Sequence, residues 1–174
     1  MSEEVKKFKV TVDGYTVEVA PGTTILEAAR QIGGKSVPPA MCYYKPLETS
    51  GGRCRTCLVE VSKGSDADPR PMPKLVASCK TEAQDGMEIK VFTSDKTKEA
   101  RQSVTEFLLL NHPLDCPVCD QAGECHLQDL SYAFGDSITR TDFERRTFES
   151  EDIGDYIKLN MNRCILIGVR NYKV

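Results

Sequence analysis

The sequence predicts an α+β fold, in which a small mixed sheet crossed by one helix precedes a smaller, mainly helical segment. Apolar and polar residues alternate over Lys7–Val12 and again over Thr16–Ala20, which is the period of half-buried strands. The dipeptide Asp13-Gly14 between them is a strong signal for a hairpin turn. Apolar residues from Ile25 to Ile32 then follow the helical period, so we expect a helix directly after the hairpin.

Cap residues mark both ends of this first helix. Thr23 or Thr24 can serve as the N-cap, and Glu27 is placed for a capping box with Thr24. Gly33-Gly34 ends the helix, because glycine is favoured just after the last helical turn.

Three further strands complete the predicted sheet. We expect them at Leu58–Val61, Lys74–Ser78 and Met87–Phe92, and the last of these follows the turn signal Asp85-Gly86. The segment between the first two, Lys63–Pro73, is polar and rich in proline, which indicates an exposed insertion.

The second half of the chain predicts two helices and an extended segment. One helix begins at Thr93 or Ser94 and ends at Asn111-His112-Pro113. Its predicted apolar side consists of Ala100, Val104, Phe107 and Leu108. A shorter helix over Cys125–Phe134 buries Leu127, Leu130 and Ala133, and the chain from Gly135 to Tyr156 is charged and extended.

Composition limits the possible functions. The chain has 174 residues and a formal net charge of −3, which gives no basic surface for nucleic acid. No apolar run is long enough to cross a membrane, and no apolar signal-peptide core follows Met1. We therefore expect a cytoplasmic chain whose cysteines stay reduced and available to metal, with disulfides as the alternative for a secreted protein.

Seven of the eight cysteines fall into two groups that supply four metal ligands each. The first group consists of Cys42, Cys54, Cys57 and Cys79, separated by 11, 2 and 21 residues. Four thiolates are the ligand set of a [2Fe–2S] or a [4Fe–4S] cluster. Zinc is the alternative because Cys-x2-Cys pairs are common in zinc sites, although Cys54 and Cys57 have no second close pair nearby.

The residues around Cys54 suit a negatively charged cluster. Gly51-Gly52 permits backbone conformations that are closed to other residues, so the chain can wrap a cluster tightly. Arg53 and Arg55 bring positive charge close to the cluster in sequence, and such charge tunes a cluster's potential. The alternatives are an ordinary turn for the glycines and solvated surface for the arginines.

The second group combines one histidine with three cysteines. It consists of His112, Cys116, Cys119 and Cys125, separated by three, two and five residues. A histidine at a helix end is more often a surface or capping residue, but the three cysteines that follow favour a ligand here. His126 adjoins Cys125, and we expect its side chain to point away from the site.

Three stretches of sequence carry a resemblance to a known family. Residues 52–61, the helix region 21–29 and above all residues 110–125 are similar to the N-terminal region of the large iron–sulfur subunit of respiratory NADH:quinone oxidoreductase, complex I. The resemblance extends from about Lys7 to Leu166. It implies a β-grasp ferredoxin-like domain with a [2Fe–2S] cluster, followed by a small α-rich domain with a [4Fe–4S] cluster.

The same resemblance implies the ligands of both clusters. Cys42, Cys54, Cys57 and Cys79 bind the [2Fe–2S] cluster, and His112, Cys116, Cys119 and Cys125 bind the [4Fe–4S] cluster. A neutral imidazole in place of a thiolate makes the second cluster easier to reduce than an all-cysteine equivalent.

A third motif of the family is interrupted near the end of the chain. Residues 161–166 resemble the start of a further [4Fe–4S] motif, which makes Cys164 a possible orphan ligand. Ile167 and Arg170 stand where that motif places further cysteines, so this chain cannot build a third cluster by itself. The resemblance thus divides the chain into a [2Fe–2S] domain at residues 1–93, a [4Fe–4S] domain at 94–140 and an extended segment at 141–174.

The resemblance predicts an electron-transfer subunit of NADH:quinone oxidoreductase. Catalysis belongs to the assembly, since the chain has no Gly-x-Gly-x-x-Gly dinucleotide motif, and no residue is expected to be catalytic. The implied partners are a flavin-containing, NADH-oxidising subunit and other peripheral-arm subunits, which would hold the chain at the inner face of the membrane. The alternatives are a diaphorase-module subunit of an NAD-linked hydrogenase or formate dehydrogenase and, in another class, a zinc-binding interaction module.

Overall fold

The structure is a computed structural model that describes residues 7–44 and 51–165. The chain divides into two compact units, with the boundary after Arg101. None of the helices in the described part has the length and apolar character that crossing a bilayer requires.

The first unit is built on a five-stranded mixed sheet. Its strands are β1 (Phe8–Val12), β2 (Tyr15–Val19), β3 (Leu58–Lys63), β4 (Val76–Ala77) and β5 (Glu88–Lys90). They are ordered β2-β1-β5-β3-β4, and β1 pairs with β5 in parallel while all other pairs are antiparallel. The predicted α+β class and mixed sheet are confirmed.

The predicted hairpin turn joins β1 to β2. Asp13 and Gly14 both have positive φ angles, of 47° and 88°, as a type I′ turn requires. The Asp13 carboxylate also accepts hydrogen bonds from the backbone N–H groups of Val91 and Phe92, at 2.8 and 3.0 Å. These two bonds explain why β5 ends at Lys90 instead of continuing to Phe92 as predicted.

The first helix, α1 (Ile25–Ile32), begins at a complete capping box. The Thr24 hydroxyl accepts the backbone N–H of Glu27 at 3.3 Å, and the Glu27 carboxylate accepts the backbone N–H of Thr24 at 3.2 Å. The structure thus selects Thr24 over Thr23 as the N-cap. The buried face of α1 packs on the sheet, and the core there consists of Val10, Val12, Val19, Ile25, Ala28, Ala29, Val59, Val61, Ala83, Met87, Ile89 and Val91.

The second helix, α2 (Asp95–Leu109), buries a polar side rather than the predicted apolar one. Thr97, Arg101 and Thr105 are at most 1% exposed, whereas Phe107 is 73% exposed. The prediction is therefore wrong for Phe107. The reason lies in Thr97, whose hydroxyl donates to the backbone carbonyl of Val91 at 2.9 Å and so draws the threonine side of the helix inward.

The second unit contains one more helix and a small hairpin. Helix α3 (His126–Phe134) buries Leu127 and Leu130 as predicted, but Ala133 is exposed. The extended segment predicted up to Tyr156 includes β6 (Glu151–Asp152), which pairs with β7 (Lys158–Leu159) in a hairpin that the sequence did not predict. These two-residue strands carry few apolar residues, so alternation could not reveal them.

Candidate metal centres

The four cysteines of the first group are all buried in the first unit. Cys57 directly precedes β3, and Cys79 lies two residues after β4. Because β3 and β4 pair, with Leu58 opposite Ala77, these strand ends bring the two cysteines together. Their sulfur atoms lie 3.4 Å apart as free thiols.

The other two cysteines are brought together by a buried threonine. The hydroxyl of Thr56 lies 3.2 Å from the sulfur of Cys54, and it also donates to the backbone carbonyl of Pro39 at 3.3 Å. The same hydroxyl accepts the backbone N–H of Met41 at 3.4 Å, directly before Cys42. Thr56 therefore ties the Cys42 loop to the Cys54 loop. Sequence reasoning missed it, although its place between two predicted ligand cysteines was a signal.

The loop before β3 adopts the unusual backbone conformations that its glycines predict. Gly52 has a φ of 60°, and a Cβ atom there would lie 3.0 Å from the Cγ atom of Lys80. Arg55 also has a φ of 60°, a region that non-glycine residues rarely occupy. Arg53 and Arg55 are both exposed, so their predicted influence on a cluster acts through solvent.

Hydrogen bonds favour the thiolate form of two of the four cysteines, Cys57 and Cys42. The hydrogen bond with the neighbouring Cys79 thiol lowers the pKa of Cys57 more than burial raises it, and the pKa falls to about 6. Burial raises the pKa of Cys42, but hydrogen bonds from the backbone and thiol of Cys54 and from the backbone of Arg53 leave it lowered. The pKa of Cys54 is raised because burial dominates. Since metals bind the thiolate form, this set is prepared in part to bind a metal cluster.

Helix α1 forms an apolar wall beside Cys57 and Cys79. Leu26 is fully buried and packs against both cysteines, and its backbone N–H donates to the carbonyl of Ser78 at 3.0 Å. Tyr43 packs on the same cluster and donates its hydroxyl to the Glu27 carboxylate at 2.8 Å. The capped end of α1 thus shields two of the four thiols from water.

In the second unit, the structure brings all four residues of the second group to one cavity. The cavity has a volume of about 460 Å³, and its lining includes His112, Cys116, Cys119 and Cys125. His112 follows the end of α2, and its backbone N–H donates to the carbonyl of Leu109 at 3.1 Å. Cys125 is the N-cap of α3, and Cys116 begins a single 3₁₀ turn.

Burial gives the side chain of His112 two properties that suit a metal ligand. Its Nδ1 atom is buried and has no hydrogen-bond partner among the residues that the structure describes. Burial lowers the pKa of His112, and the positive charges of Arg145 and Arg163 lower it further against an opposing effect of Asp115. A neutral imidazole is the form that binds metal, and a metal would satisfy the buried nitrogen.

His126 and Cys164 lie in different surroundings. The side chain of His126 is 86% exposed, with its Nδ1 atom 4.0 Å from the Asp129 carboxylate. Cys164 is exposed and lines a different cavity, of about 560 Å³, in the same unit. The predictions about Ile167 and Arg170 lie outside the described residues.

Both groups fit the clusters that the sequence predicts. The first offers four buried thiols in two adjacent pairs. The second offers a cavity whose lining includes three thiols and one imidazole nitrogen that has no partner in the described part of the chain. Within residues 7–44 and 51–165, no three histidine, cysteine or acidic side chains converge as the ligands of a single metal ion would.

Two protein families match consecutive parts of the chain. Residues 5–105 match the family described as a 2Fe-2S iron-sulfur cluster binding domain. Residues 101–139 match the NADH-ubiquinone oxidoreductase-G iron-sulfur binding region. The first match covers the first cysteine group and the second match covers the second group.

Curated relatives are similar over most of the chain. The NADH-ubiquinone oxidoreductase 75 kDa subunit of Reclinomonas americana is 47% identical over 157 residues, which is 90% of this chain and 21% of the relative. The mitochondrial NADH dehydrogenase (ubiquinone) iron-sulfur protein 1 of Solanum tuberosum is 46% identical, over 90% of this chain and 20% of its own length. The mitochondrial NADH-ubiquinone oxidoreductase 78 kDa subunit of Candida albicans is 43% identical, over 94% of this chain and 21% of its own length. The chain thus spans about a fifth of the length of these relatives.

A solved structure has the same fold. A chain from the crystal structure of an NAD+-reducing [NiFe]-hydrogenase in the H2-reduced state superimposes with a TM-score of 0.76 and 30% identity, covering 93% of this chain and 63% of the other. Together with the family matches, this confirms the predicted ferredoxin-like domain. The matches also confirm the resemblance inferred from the motifs and the two predicted cofactors, a [2Fe–2S] and a [4Fe–4S] cluster.

Proposed function

We propose, from the premise that this chain belongs to the family of 2Fe–2S iron–sulfur cluster binding domains, that it relays electrons as part of the large iron–sulfur subunit of NADH:quinone oxidoreductase (complex I). The observation that carries the proposal is the co-occurrence of two separate ligand groups, one with four buried thiols and one with a histidine in its cavity. Iron–sulfur clusters supply one-electron transfer when bound. In this proposal the oxidoreductase activity is assigned to the whole assembly, since the sequence contains no Gly-x-Gly-x-x-Gly dinucleotide motif.

Each ligand group is assigned to one cluster. The [2Fe–2S] cluster is held by four thiolates, which the β3–β4 pair and Thr56 bring together. These ligands are Cys42, Cys54, Cys57 and Cys79. The [4Fe–4S] cluster is held at the end of α2 and the start of α3 by His112, Cys116, Cys119 and Cys125.

The chain's own residues orient the ligands and exclude water. Leu26 covers Cys57 and Cys79 from the side of α1. Near the second group, Arg163 donates to the Asp115 carboxylate at 3.3 Å, one residue before Cys116. We further propose three functional regions: residues 1–93 for the first cluster, 94–140 for the second, and 141–174 as the start of a region that continues in the longer relatives.

The proposed partners are a flavin-containing subunit that oxidises NADH and other subunits of the peripheral arm. The relatives are named as subunits of such an enzyme, which supports a place within an assembly. Attachment to the inner face of the membrane would then be made by these partners.

A second candidate function is a diaphorase-module subunit of an NAD-linked hydrogenase. The fold similarity to the hydrogenase chain, at 30% identity, favours it. The higher identity of the complex I relatives, at 43–47%, favours the first candidate. Copurification from the source cell discriminates between them, because quinone-module subunits or a nickel-containing subunit would accompany the chain.

Electron paramagnetic resonance of the reduced chain tests the ligand assignment. The variant Cys54→Ser should lose the two-iron signal and keep the four-iron signal, because the two ligand groups share no residue. Cys164→Ser is the matched control and should keep both signals, since Cys164 lies in neither group. A two-iron signal that survives in full in Cys54→Ser would show that the first ligand set is wrong.

A further inference from the structure

Arg101 is the largest side chain that the described structure buries fully, at 1% exposure. A buried cation loses its hydration, so its position needs compensation from hydrogen bonds or negative charge. Arg101 belongs to neither proposed ligand set, so those sets do not explain a charged residue on the buried side of α2.

The surroundings of Arg101 place its charge beside the first ligand group. Its Nη2 atom donates to the carbonyl of Val91 at 2.9 Å and to the carbonyl of Leu58 at 3.3 Å. Leu58 directly follows the proposed ligand Cys57. The guanidinium also stacks over the ring of Phe92, with its carbon 4.5 Å from the ring centroid. These contacts hold the planar group in one place and orientation.

The charges of Asp13 and Cys57 act on this guanidinium. Burial lowers the pKa of Arg101, and the charges of Asp13 and Cys57 oppose that effect. Asp13 is fixed in the turn between β1 and β2 by the backbone N–H groups that it accepts. Cys57 is the other group, and its charge belongs to the cluster site. Arginine stays protonated in proteins, so Arg101 presents a permanent positive charge to that site.

We propose that Arg101 is a potential-setting residue, whose buried charge favours the reduced state of the [2Fe–2S] cluster and so raises the cluster's reduction potential. The inference rests on the ligand set proposed above for that cluster. Reduction adds one electron from a one-electron donor and makes or breaks no bond, so the site gains one negative charge. A fixed cation in a low-dielectric interior stabilises that extra charge.

Arg53 provides a matched contrast. It adjoins the ligand Cys54 in sequence, but it is exposed, so water and salt screen its charge. Arg101 is distant in sequence from all four proposed ligands of the [2Fe–2S] cluster, but it is buried and donates to the carbonyl of Leu58, the residue after Cys57. The inference therefore predicts that Arg101 affects the cluster's reduction potential more than Arg53 does. Closeness in sequence would suggest the opposite.

A redox titration of the 174-residue chain, followed by electron paramagnetic resonance with dithionite as reductant, tests the inference. Arg101→Met removes the charge but keeps a long side chain to pack on Phe92. It should make the two-iron cluster about tenfold harder to reduce, which is about 59 mV for one electron. Arg101→Lys keeps the charge and should stay near the wild-type potential. Arg53→Met should shift the potential much less than Arg101→Met, and the four-iron cluster serves as an internal reference.

The outcomes separate the inference from the ligand assignment. A wild-type potential in Arg101→Met, with the two-iron signal intact, would overturn the role of Arg101. A shift or cluster loss in Arg101→Lys equal to that in Arg101→Met would overturn it too, because charge would not be the cause. Cluster loss in Arg101→Met with a wild-type potential in Arg101→Lys would support it. A wild-type chain with no two-iron signal would refute the ligand set itself.

Discussion

Single side chains set the properties of both proposed metal sites. Thr56 makes three hydrogen-bond contacts through one hydroxyl and so positions two loops that carry proposed ligands. His112 combines a lowered pKa with a buried nitrogen that no described residue satisfies. The Thr56 hydroxyl and the His112 Nδ1 atom are both buried, and a buried polar group without a hydrogen-bond or metal partner costs free energy. Each group therefore depends on a specific partner.

Replacement of His112 by cysteine tests its role as a ligand. The variant His112→Cys should keep a four-iron cluster but lower its reduction potential, because an anionic ligand replaces a neutral one. A redox titration of the four-iron signal measures the change, and the two-iron cluster should titrate as in the wild type. An unchanged four-iron potential would count against ligation by His112.

His126→Ala is the matched control for this experiment. Its side chain is 86% exposed, so we expect both clusters and both potentials to be retained. A large loss of iron from this variant would mean that His126, and not His112, is the ligand.

Helices and strands position the sites through their ends. The β3–β4 pair brings Cys57 to Cys79, and the capped start of α1 places Leu26 against them. Helix α2 contributes Arg101 from its buried polar side. The stability of the first site therefore depends on the interactions that fix the ends of these helices and strands.

Removal of the N-cap of α1 tests this dependence. The variant Thr24→Ala should lower the free energy of unfolding by about 1 kcal/mol, because the capping box loses its hydroxyl acceptor. Urea unfolding of the chain measures the loss. Thr23→Ala is the control and should have a much smaller effect, since the hydrogen bonds found for Thr23 are made by its backbone. Equal losses in both variants would contradict the assignment of the cap.

At the scale of the whole chain, ligand supply limits the number of clusters. Two groups use seven cysteines and one histidine, and only Cys164 is left over. Iron and sulfide analysis after anaerobic reconstitution should therefore give about six irons per chain, two from one cluster and four from the other. A reproducible value of about ten would show a third four-iron cluster, with ligands that the two groups do not contain.

The sequence by itself determined the features that depend on local chemistry. Alternation and Asp13-Gly14 predicted the β1–β2 hairpin, and Thr24 with Glu27 predicted the cap of α1, because period and capping act within a few residues. Ligand spacing and resemblance predicted both clusters, which the family matches confirm. The individual ligands remain predictions until the variants above are measured.

Only the tertiary structure decided the features that depend on residues far apart in the chain. The end of β5 is set by Asp13, which is 78 residues away from Val91 in sequence. The polar buried side of α2 is set by the backbone carbonyls of Leu58 in β3 and of Val91 just after β5, to which Arg101 and Thr97 donate. The helical period of a sequence shows which residues share a face of a helix. It does not show whether that face packs on apolar side chains or on backbone carbonyls that accept hydrogen bonds. For that reason the burial of Arg101, and its hydrogen bond to Leu58 beside Cys57, could be found only in the folded chain.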